Sequence, residues 1–227
     1  MKAMILAAGR GERMRPLTDH TPKPLLPVLN KPLIEYHIER LAEAGYQDLV
    51  INTHHLGEQI RSHLGKGDRF KTTIHYSDEQ PEALETGGGI FQALPFFGNE
   101  PFLVINGDVW CDHSLSPPKM KPADLIHLVL VDNPSHNLSG DFALHNNRVI
   151  NDGSHRFTFS GIGWYRAALF SGCHAGRFSL VPLLREAANN DQMSGELYSG
   201  QWMDIGTPQR LSELELLLSS EKHTHHK

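Results

Sequence analysis

The stretch from Ala3 to Leu29 constrains this chain more than any other. Met4-Ile5-Leu6-Ala7 reads as a short buried strand. It breaks into Gly9-Arg10-Gly11-Glu12-Arg13, where two glycines permit a turn or a close backbone approach that bulkier residues would block. A glycine-rich turn leaving a strand exposes backbone N–H groups, and Arg10, Arg13, Arg15 and Lys23 add charged donors in the same segment; together these suit a polyanion such as a triphosphate. Over residues 1–31 there are six cations (Lys2, Arg10, Arg13, Arg15, Lys23, Lys31) and two anions (Glu12, Asp19), a balance of +4 in a chain whose total is −5. The positive charge is concentrated, not spread.

Spelling excludes two familiar phosphate loops. The Walker pattern needs a glycine followed by Lys-Ser/Thr and the dinucleotide fingerprint needs a third glycine, whereas Gly11 is followed by Glu12-Arg13-Met14. A length of 227 residues suits one α/β domain with a substantial core. Hydrophobic content of 39% and charged content of 21%, with no apolar run approaching a membrane span, indicate a globular chain without a membrane partner. The amino terminus enters the strand with no signal-peptide pattern, and Cys111 and Cys173 have neither disulfide-framework nor zinc spacing, so the expected compartment is the cytoplasm. An acidic chain with one short basic segment argues against nucleic acid. Residues 219–227, ending in a scattered histidine run, are expected to be a mobile end.

Along the chain, Pro32 opens a helix with Ile34, Ile38, Leu41 and Gly45 on one face. Leu49-Val50-Ile51 reads as a strand, Leu56–Leu64 as a helix stopped by Gly65, Thr72–Tyr76 as a strand, and Phe102–Ile105 and Leu125–Val131 as two more. The alternation predicts a doubly wound, Rossmann-like, mixed but mostly parallel sheet whose ligand sits at the strands' carboxyl ends. Beyond about residue 133, short strands at Asp141–His145, Arg148–Asn151, Phe157–Tyr165 and Glu196–Gln201, with a helix over Leu180–Ala188, predict a small sugar-facing β subregion within the same domain. Thr207 caps a last helix bearing Leu211, Leu214 and Leu218. Asp108 ends the strand Ile105-Asn106 near the opening loop, and its carboxylate suits Mg²⁺ bridging phosphate oxygens.

The words LAAGRGERMRPLT and TPKPLLPV resemble the signature of sugar-1-phosphate nucleotidyltransferases, and the resemblance runs to about Leu218. It implies that Ala8, Gly9, Gly11, Glu12, Arg13 and Lys23 hold the nucleotide, with Lys23 and Arg13 stabilising charge at the reacting phosphate. Asn106-Gly107-Asp108 matches the family's metal position, and Trp202-Met203-Asp204-Ile205-Gly206-Thr207 resembles the word whose aspartate supplies a second Mg²⁺ ligand. Leu84-Glu85-Thr86-Gly87-Gly88-Gly89 resembles the word lining the nucleobase, which implies base contacts by the amides of Gly87 and Gly88. Asn106, Asp141, Asn151 and Gly161 fall where sugar contacts are expected. The family's Glu-Lys-Pro word is absent, and Asn151-Asp152-Gly153 stands in its place, pointing to a different sugar. The implied partners are UTP and a sugar 1-phosphate, with N-acetylmuramic acid α-1-phosphate favoured and cell-wall recycling as the setting, in a monomer or weak homodimer. Competing readings are a guanylyl- or thymidylyltransferase on mannose or glucose 1-phosphate, and a non-catalytic nucleotide-sugar sensor.

Overall fold

The computed structural model describes residues 1–224, with side chains through residue 220. Strand β1 (Lys2–Leu6) is followed by a two-residue hairpin, β2 (Pro27–Val28) and β3 (Lys31–Pro32), and by helix α1 (Leu33–Glu43). Then come β4 (Asp48–Thr53), α2 (Gly57–Leu64), β5 (Thr73–Asp78), α3 (Glu85–Ala93), β6 (Phe102–Asn106), β7 (Val109–Cys111) and β8 (Ile126–Val131). The remainder contributes β9 (Ala143–His145), β10 (Arg148–Ile150), β11 (Thr158–Tyr165), α4 (Val181–Asn189), β12 (Met193–Leu197), β13 (Trp202–Asp204) and α5 (Pro208–Thr224).

Nine strands form one sheet in the order β5-β4-β1-β6-β11-β8-β12-β10-β9, and β13 pairs with β7 in a separate ribbon. The pairings run β11 and β10 against the other seven, which share one direction, so the sheet is mixed and mostly parallel as expected. Strands buried on both faces read as continuous apolar runs, which explains Ala3-Met4-Ile5 and Phe102-Leu103-Val104-Ile105. Alternate residues feed two cores. Ile5, Ile51 and Ile105 pack with Ile34, Ile38 and Leu41 of α1 on one face, while Met4, Val50 and Val104 pack with Ile90 of α3 and Leu184 of α4 on the other. A third cluster joins Met14 of the opening loop to Trp110 of β7 and to Leu211, Leu214 and Leu218 of α5, whose first turn is capped where Thr207 Oγ1 accepts from Arg210 N at 3.4 Å. The carboxyl-terminal helix thereby holds the loop that the sequence made central.

Two expectations change. The strand anticipated over Glu196–Gln201 begins and ends earlier, at Met193–Leu197: Ser194 and Gly195 are buried between β8 and β10, so small residues, not an apolar run, occupy a central strand. The end anticipated as mobile over 219–227 continues as α5 through Thr224, and its last part, 225–227, lies outside the described residues. Among the described residues no helix is long and apolar enough to cross a membrane.

Candidate active site

A cavity of about 480 Å³ opens at the carboxyl ends of β1, β4 and β6, lined by the loop after β1, by Lys23, by Asn52 and Glu79, by Ala83, Glu85 and Thr86, by Asn106–Asp108 and by Gly206. The wall formed by the loop after β1 is shaped by Gly11, whose φ of 68° is a left-handed conformation costly for side-chain-bearing residues. An added Cβ there would stand 3.0 Å from Thr18 Cγ2 and 3.1 Å from Lys23 Cβ. The Gly11 carbonyl accepts from Met14 N at 2.9 Å and from Thr18 Oγ1 at 2.8 Å, which closes the turn carrying Glu12 and Arg13. Gly9 and Arg10 are exposed, and Ala7 and Ala8 are buried.

Lys23 is 8% exposed and sits in a short turn between Pro22 and Pro24. A buried ammonium needs a counter-charge. Its Nζ donates to Asp108 Oδ2 at 2.7 Å, across 85 residues of sequence. Asp108 and Asp204 meet through backbone: Asp204 pairs with Val109 in the β7–β13 ribbon, and Ile205 N donates to the Asp108 carbonyl at 2.6 Å. Asp204 stands just behind the lining, where His136 Nε2 lies 3.1 Å from Oδ1 and Arg210 Nη1 donates to Oδ2. A Cβ built on Gly206 would be 3.1 Å from Asp204 Oδ2, 3.1 Å from Arg210 Nη1 and 3.2 Å from Arg13 Nη2, so these charges converge at one corner of the cavity. Among the described residues no group of three or more His, Cys, Asp and Glu forms a metal cage. Asp108 in the lining and Asp204 just behind it nevertheless suit Mg²⁺, which takes one or two carboxylates and completes its shell with other oxygens.

Asn106 lines the cavity at the end of β6, and a Cβ on Gly161 would be 2.8 Å from its Nδ2; the two sugar-side candidates are in contact. The other two are engaged elsewhere. Asp141 Oδ2 accepts from Phe159 N at 2.8 Å and its oxygens take Asn137 Nδ2 at 3.3 Å, which folds the 133–141 loop onto β11. Asn151 is outside the cavity: its Nδ2 donates to Arg185 O at 2.8 Å and Asn189 Oδ1 at 2.7 Å, docking α4 onto the sheet edge. Its amide is satisfied within the fold, so the structure does not bring it together with Asn106 and Gly161.

Gly87 and Gly88 lie against a distant segment. Gly88 N donates to Phe178 O at 3.1 Å, and added Cβ atoms would fall 2.6 Å from the Phe178 ring at Gly87 and 2.2 Å from Gly176 O at Gly88. The glycines admit the 176–178 segment against α3, and Ala83, Glu85 and Thr86 line the cavity in their stead. The sequence reading had overlooked Asn52 and Glu79. Leu6 pairs with Asn52 on one side and Asn106 on the other, so both asparagines follow apolar runs in the same row; the polar residue after Leu49-Val50-Ile51 was a visible signal. Also missed was His37 of α1, buried without a partner on Nε2, which hydrogen-bonds the backbone of Gly107 and which burial holds at a pKa of about 4.

Residues 2–122 match the nucleotidyl transferase family model. The chain is 48% identical to the N-acetylmuramate alpha-1-phosphate uridylyltransferase of Neisseria meningitidis serogroup B, over 98% of this chain and 100% of that protein. It is 32% identical to the protein of that name from Caulobacter vibrioides, over 91% and 92% of the two chains. In fold it superposes on a putative glucose-1-phosphate thymidylyltransferase from Bacillus anthracis with a TM-score of 0.84 at 24% identity, covering 96% of this chain and 94% of that one.

Proposed function

The chain belongs to the nucleotidyl transferase family, and on that premise we propose that it transfers UMP from UTP to N-acetylmuramic acid α-1-phosphate, giving UDP-N-acetylmuramic acid and pyrophosphate. The observation that carries this reading is the buried Lys23 ammonium on Asp108, in the wall of a cavity that begins at the loop after β1. The near full-length likeness to a uridylyltransferase of that sugar supports the choice of both substrates.

In this reading a phosphate oxygen of the sugar 1-phosphate attacks the α-phosphorus of UTP, and the bond to the bridging oxygen of pyrophosphate breaks. A phosphate oxygen is already a nucleophile, so no side chain has to remove a proton. Catalysis then consists of alignment and charge stabilisation. Lys23 shifts its donors from Asp108 alone to a share between Asp108 and the incoming phosphate, and Arg13 faces the same corner beside Gly206. Backbone amides after Ala8 present to the outer phosphates, and Glu85 and Thr86 border the opposite wall. Asp108 and Asp204 would hold Mg²⁺, which supplies charge neutralisation and orientation to the reacting phosphate when bound. Asn106, against Gly161, would contact the sugar. The protein would act in the cytoplasm, as a monomer or weak homodimer.

Pyrophosphate release measured over four nucleoside triphosphates and a panel of sugar 1-phosphates tests both substrates at once. UTP with N-acetylmuramic acid α-1-phosphate should exceed UTP with N-acetylglucosamine 1-phosphate by at least about tenfold in kcat/KM. Equal efficiency, or a preference for glucose 1-phosphate, overturns the sugar assignment.

A further inference from the structure

Two fully buried polar side chains at the back of the cavity have no role in the steps above. Asn52 is the penultimate residue of β4 at 3% exposure, and Glu79 follows β5 at 1%. They join three segments in one directed line. Ala7 N donates to Asn52 Oδ1 at 2.7 Å, Asn52 Nδ2 donates to Glu79 Oε1 at 2.6 Å, and Leu84 N donates to Glu79 Oε2 at 2.7 Å. Leu84 is gripped from its other side as well, because its carbonyl accepts from Phe178 N at 3.1 Å. Nothing can widen this joint cheaply: a Cβ on Gly89 would come within 2.5 Å of Glu79 Oε1 and 3.0 Å of Asn52 Nδ2. The line therefore spans from the first residue of the phosphate-side loop to the residues just ahead of the opposite wall, Glu85 and Thr86.

We propose that Asn52 and Glu79 are positioning residues that set the spacing between the two nucleotide-facing walls, so that the relay governs nucleotide affinity and leaves sugar affinity untouched. The proposal rests on the reading that this cavity takes the nucleoside triphosphate. The direction of the hydrogen bonds makes it testable. Both ends of the line are backbone N–H groups, which only donate, so the two side chains between them must together supply an acceptor to each end and one donor to each other. Asn52 with an ionised Glu79 meets this requirement. Asn52 with a glutamine does not: wherever the new NH₂ turns, it faces either Leu84 N or Asn52 Nδ2, and flipping Asn52 moves the clash to Ala7 N. Aspartate at 52 with glutamine at 79 meets it again with the middle bond reversed, at unchanged net charge.

The experiment measures KM for UTP and for the sugar 1-phosphate separately, with melting temperatures, in Glu79→Gln, Asn52→Asp and the double variant Asn52→Asp/Glu79→Gln. Glu79→Gln should raise the KM for UTP about tenfold or more, the effect of one buried group left unsatisfied, with the sugar KM within about twofold of the parent. Asn52→Asp, which sets two carboxylates face to face, should do the same, and the double variant should return the UTP KM to within about threefold. An unmoved UTP KM in Glu79→Gln, parallel changes in both KM values, or a double variant no better than the singles overturns the proposal; a fall in melting temperature alone would mean the pair is only structural. Should Glu79→Gln fail to fold, Asn52→Ala, which cuts the link to Ala7 while leaving Glu79 on Leu84, must show the same split. Should the parent not turn over UTP, the functional reading fails by itself, and the relay is then tested by the melting-temperature gain with whichever triphosphate stabilises the parent.

Discussion

The proposed nucleotide side and the proposed sugar side of this molecule use polar side chains in opposite ways. Around β1, β4 and β6 the polar groups at or just beyond strand ends, and Lys23 in its turn, face the cavity: Asn52, Asn106, Asp108 and Lys23 all line it, and Lys23 and Asp108 pair with each other there. On the sugar side the polar groups close on the protein itself. Asp141 holds Phe159 N, Asn137 reaches Asp141 and Thr158, and Asn151 holds α4. A parallel sheet with covered faces leaves only its strand ends for chemistry, whereas short antiparallel strands with long loops need side chains to fix their shape. A polar residue in a loop of the second kind is therefore weaker evidence of ligand contact than one ending a strand of the first.

The contrast is broken most sharply at Lys23. Lys23→Ala should lower kcat by roughly two to three orders of magnitude, the scale for losing one charge-stabilising donor, with a normal circular dichroism spectrum. Turnover within a few-fold of the parent would move Lys23 out of the machinery. Next, Asp204→Asn should raise the Mg²⁺ concentration at half-maximal rate by about tenfold, read from a magnesium titration of the steady-state rate. An unchanged titration would leave Asp204 as the anchor of Arg210 and His136 only. Asn151→Ala should behave in the opposite way, losing roughly 1 kcal/mol of stability in urea unfolding through its bonds to Arg185 and Asn189, with kcat and both KM values unmoved.

The smallest effect is the response to acid, and the two sides give separate windows. His37, whose pKa burial lowers from 6.5 to about 4, contributes stability above about pH 6.5 that is lost as the pH falls toward 4. Glu196 lies beyond the cavity, on β12. Its pKa falls from 4.5 to about 2, first through the hydrogen bond from His113 Nε2 at 3.1 Å and then through His127, which stands farther off at 3.7 Å. Its contribution is present above about pH 4.5 and lost toward pH 2. Urea midpoints between pH 7.5 and 2.5 should decline in both windows in the parent, and Glu196→Gln should flatten only the lower one.

Much of the nucleotide side was legible because its signals are local. An apolar run, a glycine turn and a cation between prolines lie within one stretch, and strands buried on both faces announce themselves by composition. Asp108 could be read from the strand it terminates. Glu79 could not, since it becomes part of the site only through the pairing of β4 with β5 and the turn that returns to Leu84. The three glycines at 87–89 carry a second signal that the sequence does not separate from the first, because a tight approach by a distant segment, here 176–178, has the same spelling as a ligand-facing loop. Ser194 and Gly195 hid a central strand for the converse reason: burial there comes from small size, not from apolar side chains.

The ribbon between β7 and β13 carries one more consequence. It places Asp204 beside Asp108 by backbone register, across nearly half of the chain length. Synthesis proceeds from the amino terminus, so β5, β4, β1 and β6, with Lys23 and Asp108, can assemble while β13 is still unmade. A nascent chain of that length has the pocket walls but lacks the second carboxylate and the α5 leucines that pin Met14. On the proposed reading, competence for chemistry arrives only once β13 has been made, and a fragment ending before Trp202 should keep the recess without turning over UTP.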